Sequence, residues 1–248
     1  MQLGGKRQRV LVINPNTTKR MTEALEPLCA RFNSEDIEVC YFTAPEGPSS
    51  INNGEDCHRS AELTLPHIEP LMDQYDAFLV ACYSDHPLAD MLRARSRKPC
   101  IGIFEASLLW ARALCRPGQA IGIVSTGKVW EKLLGDGVER LAALPPAMFK
   151  GVQTTGLSAT ELHDVGEAEV RRRMKKATRR LVEQPAAGAR VAAICLGCAG
   201  MSGMDEMVRE AVSECDDEQT RKEGVHVVDG VMAGVATLAG MLRSGLHG

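Results

Sequence analysis

Aromatic side chains are scarce in this 248-residue chain: two Trp, three Tyr and five Phe make up only 4% of it, although 44% of the residues are hydrophobic. That balance suits one large or two small α/β domains with a proper core. A charge excess is missing too. The 29 Lys and Arg stand against 32 Asp and Glu, a net −3, which argues against nucleic acid as an obligate partner. Long apolar runs are absent. Residues 1–9 are polar and basic, and the run Val10-Leu11-Val12-Ile13 is far too short for a signal-peptide core or a membrane span. No targeting segment and no membrane partner are therefore expected. The nine cysteines are odd in number, and several sit in apolar stretches. They read as reduced, mostly buried thiols of a cytosolic protein and not as a disulfide frame. Cys195-x-x-Cys198 has no second ligand pair at zinc spacing, so no metal or redox pair is expected and Cys195 is read as core. Asn14-Pro15-Asn16 lacks the glycines of a phosphate loop, so a nucleotide is not indicated.

Short, β-branched apolar runs are what the chain does have. Strands are expected at 10–13, 36–41, 77–81 and 100–103, and again at 120–124, 149–153, 191–196 and 225–228. Pro15 stops the first strand, and Asn16 or Thr17 is placed to cap a helix over 17–32, with Met21, Leu25 and Leu28 at helical spacing. The Pro-, Gly-, Ser- and Asn-rich stretch 43–53 is a loop long enough to act as a lid. A helix over 55–74 is expected to kink or split at Pro66 and Pro70. Further helices are expected from His86-Pro87 to about 96, over 105–115, and from the Ser125-Thr126-Gly127 turn to about 144. Ser158 and Glu161 form a capping box for a long helix that ends before Pro185. Helices over 201–214 and 229–242 complete the chain, with a charged connection at 216–224.

The two halves match element by element. The offset is 109 residues at the first strand (10 to 119) and 116 at a pair of strand-end cysteines (82 to 198). Two copies of one βα arrangement are therefore expected, each a parallel sheet with helices on both faces. Facing each other, they would put their strand ends around a shared cleft. Taken alone, Cys82 or Cys198 reads as a buried structural thiol. Their repeated position at the end of a strand, where α/β folds bind ligands, reverses that judgement.

Paired thiols suit one kind of chemistry. A thiol with a pKa near 8.5 can be tuned to either protonation state, and a following helix N-terminus favours the thiolate. A carbon acid between a thiolate and a thiol can lose its proton to one face and regain one on the other, with no cofactor. Each sulfur would lie roughly 3.5 Å from the carbon, so the two would be about 7 Å apart. Backbone N–H groups at Tyr83-Ser84 and Ala199-Gly200, with the Asn14 side chain, are the candidate carbanion stabilisers.

Val10-Leu11-Val12-Ile13-Asn14-Pro15-Asn16-Thr17, Ala81-Cys82-Tyr83-Ser84-Asp85, Leu196-Gly197-Cys198-Ala199-Gly200-Met201 and Val228-Asp229-Gly230-Val231 together resemble the hydantoin and allantoin racemases of the aspartate/glutamate racemase superfamily. The variant Cys82-Tyr83-Ser84-Asp85-His86-Pro87-Leu88 is similar to the family's fungal branch; the bacterial pattern more often has Pro-Gly where His86-Pro87 stands. The resemblance implies two pseudo-symmetric, doubly wound parallel-sheet α/β domains with the active site in the cleft between them. The first domain would take 1–104 plus 229–248, and the second 105–228. It also implies cofactor-independent racemisation with Cys82 and Cys198 as bases, no metal, a small-molecule substrate and a cytoplasmic enzyme, with homo-oligomerisation left open. Amino-acid racemases of the superfamily carry Thr and His after the second cysteine; Ala199 and Gly200 here favour a neutral cyclic ureide such as a 5-substituted hydantoin or allantoin. A maleate isomerase-like enzyme, an aspartate/glutamate racemase and a non-catalytic ureide-binding protein are the alternatives.

The expected substrate contacts are Asn14, Ile51, Tyr83 and Ser84 from the first half, and Ser125, Thr126, Ala199 and Gly200 from the second. Asn14 competes with a plain turn role, and Ser125 and Thr126 either touch ligand or merely cap. Asp85 and Glu105 are left unassigned. The six histidines are scattered, with no catalytic pairing legible among them. The basic run Arg171 to Arg180 reads as a solvated helix face, with Leu162, Val165, Met174, Ala177 and Leu181 turned inward and Glu167 and Glu169 nearby.

Overall fold

A computed structural model describes residues 7–142, 144–184 and 189–245. Most of the basic N-terminal stretch, Pro185 and His247 lie outside the described residues. Two four-stranded sheets are formed, every pairing parallel. The first contains β1 (Gln8–Asn14), β2 (Ile37–Thr43), β3 (Ala77–Val80) and β4 (Cys100–Gly102), in the order β2-β1-β3-β4. The second contains β5 (Gln119–Ser125), β6 (Phe149–Thr154), β7 (Arg190–Gly197) and β8 (His226–Asp229), in the order β6-β5-β7-β8. The second order repeats the first strand for strand, which is the duplicated α/β architecture expected from the sequence. By contacts the chain divides into two units. One runs to Cys82 and includes His86–Ile103 and the chain from Val231 onward; the other takes Tyr83–Asp85 and Phe104–Gly230.

In the first unit, Val10 to Ile13 and Ala77 to Val80 are at most 1% exposed. Strands so enclosed need apolar side chains on both faces, which explains continuous runs in place of alternation. Leu11, Ile13, Phe78 and Val80 pack with Ile68 and Leu92 from helices Gly54–Ile68 and Pro87–Arg93. In the second unit, Val124, Ile194 and Leu196 pack with Met174 and Leu181 of helix Glu167–Val182 and with Val208 of helix Asp205–Ser213. Each large side chain buried this way contributes about 1.5–3 kcal/mol.

Several helices depart from their expected form. The helix expected over 17–32 is three short pieces, Lys19–Glu23, Glu26–Cys29 and a 3-10 turn Ala30–Phe32, because Pro27 enters at the start of the second. Its N-cap is Thr18, with no side-chain cap; Asn16 Oδ1 instead accepts the Thr18 N–H at 2.9 Å. The stretch over 55–74 divides as expected: helix Gly54–Ile68 contains Pro66, and a 3-10 helix Glu69–Gln74 restarts beside Pro70. The Ser158–Glu161 capping box forms, with reciprocal bonds of 2.8 and 3.2 Å, but it opens only Glu161–Asp164. Gly166, at φ +79°, turns the chain before Glu167–Val182 begins; that left-handed conformation suits glycine and ends the first helix. The 201–214 helix starts only at Asp205. The 216–224 connection holds a helix, Glu218–Glu223, capped by Asp217 through the Thr220 N–H at 2.5 Å.

The basic face of Glu167–Val182 is threaded by carboxylates. Arg172 and Arg173 share Glu169, Lys175 reaches Glu214 at 2.6 Å, and Arg171 pairs with Glu167 and Glu210. Leu162, Met174, Ala177 and Leu181 are buried as expected. Val165 is not; it is 37% exposed, because it falls in the turn between the two helices and not on a helical face. No helix among the described residues is long and apolar enough to cross a membrane.

Candidate active site

Cys82 stands just past the C-terminal end of β3, partly buried against the first unit's core. The chain then bends through Tyr83, Ser84 and Asp85 before Pro87 opens a helix. Two other donors converge on the Cys82 sulfur. Cys57, from helix Gly54–Ile68, and His86 each bring one donor atom, and the three atoms lie within 4.8 Å of one another. The buried His86 ring caps Pro87–Arg93, its Nδ1 accepting the Leu88 N–H at 3.3 Å, while Nε2 meets Ser60 Oγ at 2.9 Å. Burial, aided by His58, pushes its pKa down to about 3, so the ring is neutral.

Asn14 closes β1 and is 3% exposed. Its amide donates to Thr22 Oγ1 at 3.0 Å and Asn16 Oδ1 at 3.2 Å, and its Oδ1 accepts the Asn16 N–H at 3.1 Å. The turn role is thus explicit, and the amide is already used within the turn. Ile51 is buried in the loop after β2. That loop is pinned, since Thr17 N–H donates to Pro48 O at 3.1 Å and Thr18 Oγ1 to Ser49 O at 2.7 Å. Tyr83 and Ser84 are buried as well. The Tyr83 ring packs 5.2 Å from Phe104 and its hydroxyl meets Ser107 Oγ at 2.7 Å. Asp85 pairs with Arg140. All three partners lie in the second unit, with which residues 83–85 count.

Cys198 follows β7 as Cys82 follows β3. What comes next is one 3-10 turn, Ala199–Met201, and not the helix start expected there. The Gly200 N–H donates to Cys198 Sγ at 3.4 Å. Burial pushes the thiol pKa up to about 11, while the N–H groups of Gly200 and Met201 pull it down. A methyl group on Gly200 would come within 3.2 Å of His163 Nε2, 3.4 Å of Leu162 Cδ1 and 3.6 Å of Cys198 Sγ. Glycine therefore lets the chain pass close beneath His163. Ser125 is fully buried, its hydroxyl donating to Gly197 O at 2.7 Å, so it ties β5 to β7. Thr126 is buried, and its carbonyl accepts the Gly156 N–H at 2.9 Å. Cys195 lies wholly inside β7 with its pKa pushed up to about 12 by burial. A separate open cavity of about 610 Å³ beside Lys128, Gln153, Arg173, Lys176 and Arg180 includes neither Cys198 nor Gly200 in its lining.

Sequence reasoning missed Cys57, His86 and His163 as neighbours of the two thiols. Cys57 and His163 come from other elements, so spacing carries no sign of them; His86 lies four residues past Cys82, but nothing in the sequence turns its ring toward the sulfur. The only local hint is His86-Pro87 directly after the Cys82 motif.

A family model described as Asp/Glu/Hydantoin racemase matches residues 10–238. The chain belongs to this family. Membership makes it an isomerase of the racemase type. An uncharacterized protein of Schizosaccharomyces pombe is 38% identical over 239 residues, covering 96% of this chain and 93% of that protein, in keeping with the fungal branch. A hydantoin racemase of a Pseudomonas species is 28% identical over 228 residues, 92% of this chain and 83% of its own length. Among solved structures, an allantoin racemase from Pseudomonas fluorescens matches with a TM-score of 0.81 and 26% identity, over 97% of this chain and 93% of that one.

Proposed function

We propose that this chain racemises a cyclic ureide carbon acid, a 5-substituted hydantoin or allantoin, without a cofactor, using Cys82 and Cys198 as its two bases. The observation that carries the reading is topological. Each thiol follows the same strand of its own sheet, β3 in β2-β1-β3-β4 and β7 in β6-β5-β7-β8, at the carboxyl edge where parallel α/β sheets bind ligands. Similarity to hydantoin and allantoin racemases over nearly the whole chain supports the substrate class.

In this mechanism the thiolate of one cysteine takes the ring C–H proton, and the thiol of the other returns a proton to the opposite face. The two cysteines exchange protonation states, so the next turnover runs in the other direction. Burial of Cys198 favours its protonated form, which suits it to start as the acid. Ala199 and Gly200 bring no charged side chain near the sulfur, which fits a neutral ring better than a zwitterion. Nine reduced cysteines support a cytoplasmic setting. Optical rotation of single enantiomers of allantoin and of 5-substituted hydantoins, followed in deuterated buffer, tests the proposal. Loss of rotation with deuterium entering the ring carbon is expected; unchanged rotation with every ureide would refute it.

A further inference from the structure

The cluster of Cys57, Cys82 and His86 does more than the proton transfers need. It joins two thiols and an imidazole, the donor set that borderline-soft divalent cations prefer, and among the described residues no other group of three His, Cys, Asp or Glu donors gathers this closely. We propose that these three residues form a binding site for a zinc-type divalent cation, and that its occupancy disables Cys82.

The surroundings are those of a ligand site. Cys57 is 5% and His86 4% exposed, so both are held by packing, while the partly exposed Cys82 leaves a way in. Ser60 Oγ donates to Cys57 O at 3.0 Å and so accepts from His86 Nε2–H. A hydrogen-bonded outer partner of this kind fixes the tautomer and orientation of a metal-binding histidine. With Nε2 protonated, Nδ1 is the nitrogen available as a ligand, and taking up a cation breaks the 3.3 Å bond that it accepts from the Leu88 N–H. Tetrahedral Zn–S and Zn–N bonds of about 2.3 and 2.1 Å put ligand atoms about 3.6 Å apart, so donors already within 4.8 Å need only close in slightly. Both sulfurs bind as thiolates, so any thiol proton still present is released on binding, and three protein ligands leave a fourth position open. The inhibitory half of the proposal rests on Cys82 acting as a base; the binding half does not.

The test is an anaerobic titration of the full chain with Co²⁺, reading thiolate-to-cobalt charge-transfer absorption, alongside racemisation assays with added Zn²⁺. One equivalent of Co²⁺ should saturate a two-thiolate spectrum. Cys57→Ser and Cys57→Ala, with circular dichroism unchanged, should halve its intensity and weaken binding at least about tenfold. Cys198→Ala should keep the whole signal. Zn²⁺ should stop racemisation by the wild type and spare Cys57→Ala. No thiolate absorption, an undiminished signal in both Cys57 variants, or a signal lost only in Cys198→Ala would each overturn the site. The expected spectra without Zn²⁺ inhibition of an active enzyme would keep the site and refute its inhibitory role. The same spectra in a protein that racemises no ureide would keep the site and remove the reading of function instead.

Discussion

The two units share one strand order yet surround their thiols differently. Cys82 sits among side chains, with Cys57 and a neutral, buried His86 converging on it. Cys198 sits against backbone, its sulfur accepting the Gly200 N–H, with His163 and Leu162 closing over the glycine. Duplication thus preserved where each sulfur is placed on its sheet and not what tunes it. The proposed two-base racemisation needs that outcome: two groups in equivalent positions that take opposite protonation states.

The largest expected effect comes from removing either thiol. Cys82→Ala and Cys198→Ala should each cut the racemisation rate by about 10²–10⁴-fold, the usual worth of a positioned acid or base, as read by polarimetry. If only one substitution did so, the functional equivalence of the two positions would fail. Core truncations should next show the two units to be equally dependent on packing. Phe78→Ala in the first and Leu181→Ala in the second remove wholly buried side chains and should each cost about 2–5 kcal/mol in denaturant titrations.

The wholly buried titratable groups beside the two thiols should contribute opposite limbs to the pH dependence. In the first unit, His86 has a folded pKa of about 3 against an ordinary 6.5. Below about pH 6.5 the unfolded chain binds a proton that the folded one refuses, so stability falls as pH drops, by roughly 2 kcal/mol at about pH 5. In the second, burial pushes the Cys195 and Cys198 thiols up to about 12 and about 11, above the ordinary thiol range. There the unfolded chain gives up protons first, and stability falls as pH rises above about 9. Melting curves across pH should show both limbs, and His86→Gln should flatten only the acidic one. The smallest effect falls on substrate fit: Gly200→Ala, which presses on His163, should lower kcat/KM about tenfold with circular dichroism unchanged.

Strand positions were legible because strands buried on both faces are continuous apolar runs, and Val10 to Ile13 and Val191 to Leu196 are short runs of that kind between polar or Gly- and Pro-containing stretches. Their order followed from the repeat. Helix limits were less legible, because a cap states where a helix begins and not how far it runs. The Ser158–Glu161 box is real, yet Gly166 ends what it opens. In 216–224, density of charge hid a helix that Asp217 caps. The two cysteines stood out through repetition. Cys57 and His163 did not, because only tertiary packing brings them to the sulfurs; His86 was adjacent in sequence, but the direction of its ring belongs to the folded chain. Asn14 and Ser125 were legible as strand-end polar residues, but their hydrogen bonds within the unit belong to the folded chain alone.

The most direct test of the two-base account is deuterium wash-in at the ring carbon of each separate enantiomer of allantoin or a 5-substituted hydantoin, catalysed by Cys82→Ala and by Cys198→Ala. The account predicts that each variant exchanges one enantiomer without inverting it, and that the two variants choose opposite enantiomers. Exchange of both enantiomers by one variant, or racemisation at the wild-type rate by either, would contradict it.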